Sequence, residues 1–190
     1  MPKKKKKVIY INYYDSIDQL RIKHLMAIIT NVIAQEKPDT LYFIFSSNGG
    51  SVDAGVTFYN FLKSLPLEIV THNVGSIDSI ANVIFVAGDR RYSVPHATFL
   101  FHGVAVTLNG NHRLTLPQIN EIRDRIHKDH NKIAGIICDN TSIIEKDLKR
   151  LFTQGETKNV SFALEKNIIH KVKPLKIPKD ALLISININS

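Results

Sequence analysis

The segment Thr40-Leu41-Tyr42-Phe43-Ile44-Phe45 carries no charge and lacks the apolar–polar alternation of a half-exposed strand. A strand of this kind is buried on both faces, as in a sheet covered by helices. A tight polar loop, Ser46 to Ser51, comes after it, and then a helical stretch from Val52 to Leu65 that Pro66 stops. The same order surrounds this unit. Val8 to Asn12 reads as a strand, and Asp18 to Ala34 as a helix with apolar residues at Ile22, Leu25, Ile28, Ile29, Val32 and Ile33. Glu68 to Asn73 reads as a strand, Val74 to Asp78 as a turn, and Ile80 to Ala87 as a short apolar helix. Arg91 to Val94 and Thr98 to Phe101 are strand-like. Repeated strand–loop–helix units predict an α/β fold with its loops gathered at one edge of the sheet.

The last third changes character. Leu116, Ile119, Ile122, Ile126, Ile133 and Ile137 line one face of a long helix, predicted over about 116–138. Ser142 and Glu145 have capping-box spacing before a helix ending near Phe152. Ser161 to Lys166 reads as a short helix closed by Asn167, and Ala181 to Asn189 as an edge strand. At 190 residues the chain suits one core, so residues 8–190 are expected to form a single domain behind a flexible basic stretch, 1–7.

That basic stretch accounts for most of the formal charge. Five of the +8 are Lys3 to Lys7, leaving only about +3 elsewhere, and no aromatic residues are interleaved with the lysines. This argues against a nucleic-acid platform and for a solvated terminus. No apolar run approaches the length of a membrane span. The single cysteine, Cys138, cannot form an internal disulfide, so a reducing cytoplasm is the simplest home. No cluster has metal-ligand spacing; His127 and His130 share a helix face and read as exposed polar positions. No cofactor is expected.

Three loops could carry chemistry. Ser46-Ser47-Asn48-Gly49-Gly50-Ser51 can expose backbone N–H groups to an anion, or be only a tight strand-to-helix turn. Gly75-Ser76-Ile77-Asp78-Ser79-Ile80-Ala81 sets Ser79 where a strand meets a short helix, suited to a nucleophile and equally to an N-cap. His102 ends the apolar Phe99-Leu100-Phe101, a place where a lone histidine is often structural.

In order and spacing these loops resemble the Clp protease proteolytic subunit family: Gly49-Gly50-Ser51, then Gly75 to Ser79, then His102. The stretch Val86 to Ala97 resembles the family's link between nucleophile and histidine, and the long helix matches its inter-ring handle in position. The resemblance covers Val8 to Val172. It implies a ClpP/crotonase-like stack of β-β-α units with a protruding handle, and peptide hydrolysis through an acyl-enzyme. Ser79 would be the nucleophile, His102 the base, and the N–H groups of Gly50 and Ile80 the oxyanion hole. Gly49 and Ser51 would help to hold an extended peptide. It further implies a peptide or unfolded-protein substrate and a homo-oligomeric ring, heptameric or stacked, and leaves open an AAA+ unfoldase partner.

The chain departs from the family pattern at several positions. Ala81 stands where glycine is usual, and Asp78 where the residue is small and neutral. Counting back from Ala163, Gly155 takes the place of the acid, with Glu156 beside it as the candidate third catalytic residue. Three functions are compatible with these residues: a serine peptidase, a catalytically impaired ring subunit or scaffold, and a crotonase-type acyl-CoA enzyme. The Ser–His pair and the lack of a loop glutamate count against the last.

Overall fold

The computed structural model describes residues 6–108, 110 and 113–186. Its first half runs β1 (Val8–Tyr14), α1 (Gln19–Glu36), β2 (Thr40–Ser47), α2 (Val52–Ser64), β3 (Glu68–Asp78), α3 (Ala81–Phe85), β4 (Arg90–Ser93) and β5 (Thr98–Leu100). Then come α4 (Leu116–Asn140), α5 (Glu145–Gln154), β6 (Thr157–Asn159), α6 (Val160–Glu165), β7 (Lys171–Val172) and β8 (Leu182–Ser185). Among the described residues the strands form one eight-stranded sheet, ordered β6-β5-β3-β2-β1-β8, with β4 joining β3 to β7. Every pairing is parallel except β5 with β6. This is the mixed α/β architecture expected from the alternating segments, and β2 is buried along almost its whole length.

The core lies between sheet and helices. Ile9, Ile11 and Tyr13 of β1 and Phe43 and Phe45 of β2 join Ile22, Leu25 and Ile29 of α1 and Phe58 and Leu62 of α2 in one buried cluster. Each large side chain so buried contributes roughly 2–3 kcal/mol. α1 starts where Asp18 accepts a hydrogen bond from the Arg21 N–H, and α2 where Ser51 accepts from that of Ala54.

Two local expectations are corrected. Val74 to Asp78 is not a turn: β3 continues to Asp78, with a register shift against β2 between Phe45 and Ser47. Side chains absorb the irregularity. Ser46 Oγ accepts from Ser76 N and donates to Ser76 O, both at 3.1 Å, and Asn73 Oδ1 accepts from Gly75 N at 2.9 Å. The first half of β3 therefore pairs with β4 and the second with β5. Nor does Ser142 cap α5. Its N–H donates to Lys166 O and the N-cap is Ile144, while the capping box is Thr115 with Gln118 at the start of α4.

Asn167 does take the left-handed conformation after α6, and β8 is the edge strand expected from the tail, although residues 187–190 lie outside the described part. So do Lys3 to Lys5 of the basic run; Lys6 pairs with Glu68, and Lys7 with Glu36 and Asp39. Among the described residues no helix is long and apolar enough to cross a membrane.

Candidate active site

The second half of β3 delivers Ser79. Three described non-glycine residues have positive φ: Lys37 and Asn167, which come after helices, and Ser79, which ends a strand at φ 57°. Ser79 is not the cap it could have been; the N-cap of α3 is Ile80, with no side-chain cap bond. Holding a serine in the left-handed region costs about 1–2 kcal/mol, which the surroundings must offset. They do so through the Ser79 N–H, which donates to Leu100 O at 2.8 Å, and through Asn82. The fully buried Asn82 Nδ2 lies 3.1 Å from Ser79 O, 2.9 Å from Leu100 O and 3.3 Å from Ile77 O.

The glycine loop packs directly on this turn. Gly49 (φ 89°) comes so close that a Cβ there would fall 2.7 Å from Ser79 Cβ and 2.8 Å from Asp78 O. Gly50 pairs with Ile17 across an isolated bridge: the Ile17 N–H donates to Gly49 O, and the Ser51 N–H to Ile17 O. Those bonds, with its side chain capping α2, hold Ser51 at the start of the helix expected there. Gly49 is the residue of this loop that packs against the Ser79 turn.

His102 lies two residues beyond β5 and is exposed. Because the Ser79 N–H is bonded to Leu100 O, the serine and the histidine leave neighbouring strands at the same end of the sheet. His102 Nδ1 lies 2.8 Å from Gly103 O; a carbonyl only accepts, so Nδ1 carries the proton and Nε2 is left free to accept one. Asp78 is half-buried beside this pair. Burial raises its carboxyl above the usual carboxylate range, a shift that the nearby His102 and the Leu100 N–H offset only in part.

Glu156 does not reach His102. In the antiparallel β5–β6 ladder Leu100 pairs with Thr157. The ladder ends at that pair; Glu156 precedes it, and Gly155 is the left-handed C-cap of α5. The Glu156 carboxylate is instead bonded to Lys158 Nζ at 2.5 Å, which holds it below the usual carboxylate range.

The family model described as Clp protease matches residues 4–174. The chain belongs to the Clp protease family. Curated Clp relatives include the ATP-dependent Clp protease proteolytic subunit of Paracoccus denitrificans, 26% identical over 167 residues, which are 85% of this chain and 80% of that protein. The Bigelowiella natans protein of the same name is 27% identical over 160 residues, 82% of this chain and 80% of the other. Proteolytic subunit 1 of Corynebacterium jeikeium is 24% identical over 166 residues, 83% and 85% respectively.

One residue of this Clp chain, Asn82, was not singled out by sequence pattern, and another, His130, was read only as an exposed position. Asn82 could have been found as the one polar residue inside the apolar Ile80 to Ala87 run. His130 is not the exposed position expected: it is half-buried, accepts the Val104 N–H at Nε2 (2.7 Å), and stacks on Phe152 at 5.3 Å.

Proposed function

We propose that the chain is a serine-type endopeptidase, acting as a proteolytic subunit of the Clp kind. The observation that carries this reading is Ser79, held left-handed at a strand end, in contact with Gly49 and bonded to the strand that bears His102. Ser79 Oγ attacks the scissile carbonyl as His102 Nε2 takes its proton, and the N–H groups of Gly50 and Ile80 receive the oxyanion, each worth about 3 kcal/mol. His102 then protonates the leaving amine, and water, deprotonated by the same nitrogen, releases the acyl group. By likeness to the proteolytic subunits, the chain works in an oligomeric ring that degrades unfolded protein supplied by an ATPase.

A fluorophosphonate probe should label Ser79 in the wild-type protein, as mapped by peptide mass spectrometry. Ser79→Ala should abolish labelling without lowering the melting temperature. Labelling that survives the substitution would move the nucleophile elsewhere.

Gly155, in the place of the acid by the count back from Ala163, favours a second reading, a ring subunit without catalytic activity. A folded, assembled wild-type protein that takes no label at Ser79 would support it.

A further inference from the structure

We propose that His130, acting through the Gly103–Val104 peptide unit, is the positioning residue for His102, in the role left vacant by the side chain that Gly155 lacks. This rests on the reading of Ser79 and His102 as a catalytic pair.

One rigid amide joins the two histidines. Its carbonyl, Gly103 O, accepts from His102 Nδ1 at 2.8 Å, and its N–H, on Val104, donates to His130 Nε2 at 2.7 Å. The partners fix both tautomers: Nδ1 of His102 must donate and Nε2 of His130 must accept. Hydrogen bonds in series polarise one another, so an acceptor on the amide N–H makes its carbonyl a better acceptor. The preceding amide is held as well, since the Gly103 N–H donates to Phe152 O at 3.1 Å, and the Phe152 ring stacks on His130. A planar trans peptide held at both polar ends cannot rotate alone. His102 thereby keeps the tautomer that leaves Nε2 free to accept the Ser79 proton.

Protonation of His130 would replace its acceptor with a second donor aimed at the Val104 N–H and release the amide. Burial first, and then His127 on the same helix, hold the His130 imidazole below its ordinary value, while Asp129, paired to Lys132 at 3.4 Å, acts the other way. The neighbouring elements present the Phe152 ring and the peptide itself, with His102 the next titratable group along the chain. At neutral pH the acceptor form therefore prevails.

The test uses the intact protein and two variants. Imidazole nitrogen NMR should show His102 protonated at Nδ1 in wild type and in His130→Gln, whose carboxamide oxygen can still accept. In His130→Leu the proton should shift to Nε2. Ser79 labelling by the fluorophosphonate should slow by about 100-fold in His130→Leu and by less than tenfold in His130→Gln. The acid limb of the rate should steepen to second order in protons in wild type and stay first order in His130→Gln. An unchanged His102 tautomer in His130→Leu overturns the proposal. Should that variant not fold, a wild-type acid limb in His130→Gln overturns it. The tautomer readout does not need an active Ser79, so an unlabelled serine counts against the peptidase reading alone.

Discussion

Gly155 is the most informative single position. It takes the place of the acid by the count back from Ala163, has φ 59°, and a Cβ built there meets nothing within 4 Å. Aspartate tolerates the left-handed region better than most residues. Gly155→Asp should therefore fold with a small loss of stability and place a carboxylate two residues before β6, the strand paired with β5. Turnover of a fluorogenic peptide should rise by roughly tenfold, since a charged acceptor steadies the imidazolium better than a peptide carbonyl; an unchanged kcat would mean that the carboxylate does not reach Nδ1. The placement of Ser79 and His102 at strand ends was legible in the sequence because each belongs to a short motif there. The half-buried setting of His130 was not, because its partner Val104 is 26 positions away and no local pattern announces that contact.

Strands and helices were legible wherever hydrophobic period decided them, and illegible where side chains substitute for the ladder, as Ser46 and Asn73 do in β3. The same strand contains a titration that no pattern shows. His72 is fully buried, with Nδ1 2.7 Å from the Tyr42 hydroxyl and Nε2 3.2 Å from Lys173 O, and burial lowers its pKa to about 4. The unfolded chain takes up this proton near pH 6.5 and the folded chain only near 4. Its contribution is therefore constant above about 6.5 and is lost as pH falls through that window, on the order of 3 kcal/mol in all. Urea midpoints should fall between pH 6.5 and 4 in wild type and fall distinctly less in His72→Gln. His130 and His170, also lowered by burial, supply the slope that remains. Equal slopes in the two proteins would assign the acid sensitivity to those other groups.

For the whole molecule, the apolar stripe foreseen on α4 divides in two. Ile133 and Ile137 are core residues, whereas Leu116 is 70% and Ile119 48% exposed, so lysine at 133 would damage the fold rather than an interface. If subunits meet through this helix, Leu116→Lys with Ile119→Lys should shrink the particle in sedimentation while leaving the melting temperature within a few degrees. A particle of unchanged size would place the contact on another surface. The sheet has a kinetic side as well. β1 is flanked by β2 and β8, and its β8 register joins Ile9 to Leu182, almost the whole length of the chain apart. The entropy of closing so long a loop is recovered only when the strands between are in place. β8 therefore docks late, and until it does one side of β1 keeps its backbone groups unpaired, available to any other extended chain.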